Sequence, residues 1–150
     1  YWKIAGFTGY LPLSVNSTDY MTHPGIQVPA NTEQHKTAGP YSPVLIIEPR
    51  KLVVISGQAA IDRTGSIIGN TIEEQAAYTL ENCRKILDHA GCSMADVFKV
   101  NVFMKDLADW VQFNELYKKY FTPPLPVRTT VQAGLLSTLL VEIELWAVKK

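Results

Sequence analysis

The chain has only two cysteines and three histidines among 150 residues. Cys83 and Cys92 fall on either side of an expected helix end, farther apart than the ~7 Å between Cα atoms that a disulfide spans. Both therefore read as reduced thiols packed as small apolar residues. His23, His35 and His89 stand apart from each other and from cysteine at ligand spacing, so no metal site is expected. Charge of one sign is not in excess either. Fourteen Lys and Arg against fourteen Asp and Glu give a formal net charge of +0 at pH 7. Such a balance produces no long-range field toward nucleic acid or an anionic membrane, and neither is expected as a partner. No stretch reaches the roughly 18 apolar residues of a membrane span. Lys3, Gly6 and Gly9 interrupt the opening segment where a signal peptide would need a continuous apolar run. Asn16-Ser17-Thr18 fits the glycosylation pattern, which is common by chance, and the expected location is cytoplasmic. A glycine-rich phosphate loop, Cys-x-x-Cys, His-Glu-x-x-His and Gly-x-Ser-x-Gly are all missing, and no bound cofactor is expected.

A 47% hydrophobic and 19% charged composition suits a globular protein with one core. Residues 1–37 read as an N-terminal extension, with Pro12, Pro24 and Pro29, several glycines and no sustained periodicity. Its Trp2, Phe7, Tyr10 and Tyr20 are costly to leave exposed. Residues 38–150 read as the domain. Val44–Ile47 and Leu52–Ser56 are β-branched runs joined by Glu48-Pro49-Arg50-Lys51, which predicts a hairpin. Asp62-Arg63-Thr64-Gly65 predicts a turn leading into a short strand, Ser66–Ile68. Thr71-Ile72-Glu73-Glu74 is a capping box. The helix it opens buries Ile72, Ala76, Leu80, Cys83, Leu87 and Ala90 and stops at Gly91. A strand follows with Phe98, Val100, Val102 and Met104 on its apolar face. A second helix, from about Asp106 or Asp109 to Tyr120, carries Trp110, Phe113 and Tyr117 as its stripe, and Pro123, Pro124 and Pro126 stop it. Strands at Val127–Ala133 and Leu139–Val148 end the chain. The order β-β-β-α-β-α-β-β predicts an α+β fold, one sheet with both helices on one face. Leu140 and Trp146 make the other face too apolar for water, so it is expected to be covered by other subunits.

A few polar residues stand inside this apolar context. Arg128 heads a strand directly after the proline-rich loop, and its planar fork matches a carboxylate. Glu142 interrupts an apolar strand two residues before Glu144. A buried carboxylate there would need a partner or a raised pKa, and either makes it a candidate for handling water or protons. Ser56-Gly57-Gln58 ends another apolar strand, with a glycine that admits close approach. Tyr41 sits in the rigid turn Gly39–Pro43. Taken singly, each also has a structural explanation: Arg128 in a surface or structural ion pair, Glu142 as its partner, Gly57 at a simple bulge.

Four ordered stretches together resemble the RidA/YjgF family of reactive-intermediate deaminases. They are Ala38-Gly39-Pro40-Tyr41-Ser42-Pro43, Leu52-Val53-Val54-Ile55-Ser56-Gly57-Gln58, Thr71-Ile72-Glu73-Glu74-Gln75, and Val127-Arg128-Thr129-Thr130-Val131 with the later Val141-Glu142-Ile143-Glu144. Leu80-Glu81-Asn82 and Phe113-Asn114-Glu115-Leu116-Tyr117 match in kind, and the similarity runs from about residue 36 to 148. The resemblance implies a chorismate-mutase-like fold, a mixed sheet with two helices on one face, assembled as a homotrimer around a central barrel with sites in the subunit clefts. It implies hydrolysis of enamine and imine intermediates such as 2-aminoacrylate, released by pyridoxal-phosphate dehydratases, to 2-keto acids and ammonia, with no cofactor. The activity is then that of a 2-iminobutanoate/2-iminopropanoate deaminase-type hydrolase acting on an imino acid or other small carboxylate. A non-catalytic trimer that binds small ligands or protein partners is the alternative on the same fold. By the resemblance, Arg128 binds the substrate carboxylate and Glu142 orients water or relays protons. Tyr41, Ser56, Asn114 and Thr130 complete the substrate site. Many relatives carry Cys at position 130, so the threonine here points to a backbone role. The loop Gly134–Thr138 is shorter than the family's, which leaves the register of Glu142 against Glu144 open.

Overall fold

A computed structural model describes residues 23–30 and 38–149. Trp2, Phe7, Tyr10, Tyr20, His35 and the Asn16-Ser17-Thr18 tripeptide lie outside the described residues. The elements in chain order are β1 (Ile26–Gln27), β2 (Ile46–Ile47), β3 (Lys51–Ala59), α1 (Ile72–His89), a 3-10 turn at Met94–Asp96, β4 (Val97–Met104), a second 3-10 turn at Leu107–Asp109, α2 (Trp110–Tyr117), β5 (Val127–Gln132) and β6 (Val141–Lys149). Four strands form one mixed sheet in the order β3-β6-β4-β5. β4 and β5 run parallel, and the other neighbours are antiparallel. Both helices cover one face of this sheet, as the order of elements predicts. No helix among the described residues is long and apolar enough to cross a membrane.

The alternation of β6 divides the sheet into two faces. Val141, Ile143, Leu145 and Ala147 are completely buried, with Val100, Val102 and Met104 of β4 beside them. Glu142, Glu144 and Trp146 point the other way and are only half-buried. On that open face Leu52, Val54 and Val131 are 55%, 61% and 43% exposed. β4 departs from the expected pattern at its start. A register shift between Val97 and Lys99 puts Val97 in the core and leaves Phe98 half-buried. The extra residue of a bulge reverses the alternation, which a strict period of two does not anticipate.

α1 begins on the expected capping box, with Glu74 N donating to Thr71 Oγ1 at 3.3 Å and the Glu74 carboxylate accepting from Thr71 N at 3.2 Å. Gly91 beyond its end has φ +71, a left-handed conformation that disfavours a side chain. The buried stripe also holds two polar residues, Gln75 and Thr79. Gln75 Nε2 donates to the carbonyls of Gly69 and Thr138, both at 3.1 Å, and its Oε1 accepts from Leu140 N at 2.8 Å. One buried amide thereby ties the loop ahead of β6 to the helix and helps set the register at which Glu142 enters the sheet. α2 is shorter than expected. Its start is taken by the 3-10 turn, where Asp106 Oδ1 accepts from Ala108 N at 2.8 Å.

The expected hairpin of Val44–Ile47 with Leu52–Ser56 does not form. β2 pairs instead with β1, Ile26 opposite Ile47, while β3 takes β6 as its partner. A β-branched run specifies a strand without specifying its neighbour, and here a segment ahead of residue 38 supplies one. That segment is anchored by more than the ladder. Ile26 is 2% exposed, and Gly25 N donates to His23 Nδ1 at 3.0 Å, which leaves Nε2–H to donate to Asp96 Oδ1 at 2.9 Å. The Asp62–Gly65 turn forms as predicted, with Asp62 Oδ1 accepting from Thr64 N at 2.8 Å and Ser66 N at 2.9 Å. Beyond it the expected strand at Ser66–Ile68 reduces to a single bridge, Ile67 with Ile61.

Gln75→Leu fills similar volume but leaves two carbonyls and one N–H without their partner. Its unfolding free energy, measured by urea titration, should fall by about 2–4 kcal/mol.

Candidate functional site

Pairing places the Arg128 side chain on the helix-covered face, because Arg128 lies opposite Val100 and Thr130 opposite Val102. There the guanidinium meets α2. Arg128 Cζ lies 4.6 Å from the ring centroid of Tyr117, 5.1 Å from Trp110 and 6.0 Å from Phe113. Nη1 and Nη2 are both shut off from solvent and have no hydrogen-bond partner among the described residues. No described carboxylate forms an ion pair with the group, so the structural ion-pair explanation of Arg128 finds no support among the described residues.

The turn before β2 closes over the same point. Ser42 N donates to Pro126 O at 3.2 Å, pinning the Gly39–Pro43 turn against the proline loop that leads into β5. Gly39 then faces the guanidinium so closely that a Cβ there would stand 2.7 Å from Arg128 Nη2, 3.2 Å from Trp110 Cζ2 and 3.6 Å from Asn114 Nδ2. Asn114 is 6% exposed, and its Oδ1 is buried without a partner among the described residues. Thr130 Oγ1 and Tyr117 Oη are in the same condition. Arg128, Asn114 and the turn that carries Tyr41 are thus brought to one place, with Thr130 next along β5.

Electrostatics follow from this burial. Desolvation lowers the Arg128 pKa from its ordinary value, with the Tyr117 and Tyr41 phenols acting in the opposite direction. A guanidinium keeps its proton in any case. The shift therefore expresses the cost of a cation away from water, which an incoming anion would relieve. Desolvation also raises the Tyr117 pKa, so its phenol stays neutral. Cys83 is pushed up to about 12 by burial and is inert as a thiol.

Ser56 and Glu142 lie elsewhere. Glu142 is registered with Ala59 on one side and Phe103 on the other, and its side chain is on the open face. It passes over Gly57, where a Cβ would stand 2.9 Å from the Glu142 carboxylate carbon. The register of β3 shifts at this point, between Ile55 and Gln58. Gly57 is thus a bulge and a close approach at once. Glu144 is occupied, accepting from Asn101 Nδ2 at 2.8 Å, whereas Glu142 has no such partner among the described residues. Within one chain the two groups of candidate residues are therefore on opposite faces of the sheet.

Trp110, Phe113 and Tyr117 are read from sequence as a core stripe, and only the fold shows that they also surround Arg128. Gly39 is marked in the sequence only by its place in a turn and in the Ala38–Pro43 stretch, with no sign that it meets Arg128. Gly39→Ala should lower the unfolding free energy by about 1–3 kcal/mol, because the guanidinium it meets is walled by rings. Gly134→Ala, with nothing within 4 Å of the new methyl group, should leave stability unchanged or slightly raised in the same urea titration.

Comparison with known proteins matches residues 31–149 to the family described as endoribonuclease L-PSP. A Schizosaccharomyces pombe protein named "Protein mmf2, mitochondrial" is 39% identical over 108 residues, 72% of this chain and 83% of its own. The mouse protein named 2-iminobutanoate/2-iminopropanoate deaminase is 35% identical over 125 residues, 82% of this chain and 91% of its own. A solved structure of a conserved Rid family protein from Yersinia pestis has a TM-score of 0.63 at 32% identity, covering 75% of this chain and 90% of that one. With one such relative named as mitochondrial, the expected cytoplasmic location does not follow from the family. Two helices on a mixed sheet, the ordered motifs and these likenesses together show that the chain belongs to the RidA/YjgF family.

Proposed function

We propose that the protein hydrolyses small 2-imino acids to 2-keto acids and ammonia. The buried guanidinium of Arg128 carries this reading, since both Nη atoms lack a partner among the described residues. A carboxylate fits the planar fork through two parallel charge-assisted hydrogen bonds. Asn114 Oδ1 is an acceptor without a donor, and a substrate with an N–H beside its carboxylate supplies one. Holding both ends of a small imino acid leaves its C=N carbon fixed for attack by water. Water adds to that carbon while the nitrogen gains a proton. The resulting carbinolamine loses ammonia and leaves the keto acid. Glu142 takes the proton from water, and the backbone carbonyl of Thr130 helps to hold that water. Tyr41 closes one wall, and Ser56 or a neighbouring backbone group approaches the substrate nitrogen from the other side.

Such a site needs two copies. β3 and β5 are the two edges of the sheet, with Arg128 on one edge strand and Ser56 on the other. A closed ring of copies sets the β5 edge of one chain beside the β3 edge of the next. The same closure covers Leu52, Val54 and Val131 on the open face, and a homotrimer is the assembly we propose. RNA cleavage, which the family description names, finds no support in the neutral charge balance.

The deciding experiment generates the imine in situ with a serine or threonine dehydratase and follows keto acid release with and without this protein. Release should accelerate, and Arg128→Ala should lose roughly 100-fold of the acceleration. No acceleration over solvent hydrolysis discards the enzyme in favour of a binding-only protein. Full activity in Arg128→Ala discards the site. Val54→Glu places a charge on the proposed interface, so light scattering should move from a trimer to the 16.7 kDa chain.

A further inference from the structure

A long side chain on an edge strand needs something to hold it, and the usual holder of a buried arginine is a carboxylate. Arg128 has none among the described residues. Around its guanidinium are the faces of three rings, Tyr117 nearest at 4.6 Å. A ring face attracts a cation through its quadrupole and presents no acceptor to the N–H groups. The cation can therefore be held while Nη1 and Nη2 stay unpaired, which a carboxylate neighbour would not permit.

Tyr117 is also a firmly held ring. It is 0% exposed, stacked on Phe121 at 4.3 Å with 29° between planes and tilted against Phe113 at 5.7 Å. Its hydroxyl has no partner in the described structure, so that oxygen is not what holds the ring in place. We infer that Tyr117 is a positioning residue for the carboxylate clamp: its ring face sets where the Arg128 guanidinium stands and keeps both Nη atoms available to the ligand. Trp110, half-buried at the outer side of the same group, contributes the same attraction more weakly. The inference rests on Arg128 binding a carboxylate. It does not depend on hydrolysis.

The test combines calorimetric titration with 2-oxobutanoate, a keto acid that the protein is to bind and not transform, with imine hydrolysis kinetics. Tyr117→Phe keeps the ring face and should retain the wild-type Kd and KM to within about twofold. Tyr117→Leu keeps apolar bulk without the ring, and should raise both Kd and KM by about tenfold while kcat changes by less than about threefold. A purely structural role would instead lower kcat with the fraction folded and leave Kd unchanged, and that result overturns the inference. Equal losses in Tyr117→Phe and Tyr117→Leu overturn it as well, because the hydroxyl would then be what matters. If Tyr117→Leu does not fold, Trp110→Leu should raise Kd about threefold, and an unchanged Kd there is equally fatal. Wild-type protein that binds 2-oxobutanoate without hydrolysing imines removes the deaminase reading, and the ring's effect on Kd then tests the positioning role by itself.

Discussion

A guanidinium away from water, with no counter-ion among the described residues, is costly to a fold, and much of the structure around Arg128 answers that cost. β5 carries the residue on the helix-covered face, α2 turns three aromatic rings toward it, and the Gly39 turn closes over its end. Aromatic attraction offsets part of the desolvation, yet it leaves the hydrogen-bonding edge of the cation unused. Asn114 Oδ1 and Thr130 Oγ1 share that condition among the described residues. Buried polar atoms are almost always paired, so several unpaired ones in one neighbourhood fit the small polar ligand proposed for this site.

The sheet imposes the second constraint. Strict alternation along β6 puts Ile143 and Leu145 wholly inside and sends Glu142 and Glu144 to the opposite face. Arg128 and Glu142 can thus both belong to the domain's chemistry only if another copy of the chain supplies one of them. Details that look minor bear on this arrangement. Gln75 ties down the loop ahead of β6, Gly57 gives Glu142 room to lie over β3, and Asn101 occupies Glu144 while leaving Glu142 without a partner among the described residues.

Local signals were legible wherever a few neighbouring residues decide the outcome. Thr71 and Glu74 form the capping box, Gly91 takes positive φ, and Asp62 organises its turn, because each depends on hydrogen bonds or sterics within four residues. The bulge at Phe98 and the pairing of Ile26 with Ile47 were not legible, since both are settled by which strand lies alongside. The site divides in the same way. Ordered motifs marked Arg128, Asn114, Tyr41, Ser56, Thr130 and Glu142 by resemblance. Nothing in them indicated that the first three gather on one face while Glu142 goes to the other.

Arg128 alone could have been a surface or ion-paired residue, and its neighbours in sequence do not exclude either. By itself the sequence determined the α+β class, the capped first helix, and a planar cation at the head of an apolar strand. Only the tertiary structure decided that this cation is enclosed by Trp110, Phe113 and Tyr117 with Nη1 and Nη2 unpaired among the described residues, and that Glu142 lies on the opposite face of the sheet within one chain. The reason is physical. Periodicity tells which residues share a face of one element, whereas desolvation and hydrogen-bond satisfaction depend on groups brought together from distant parts of the chain.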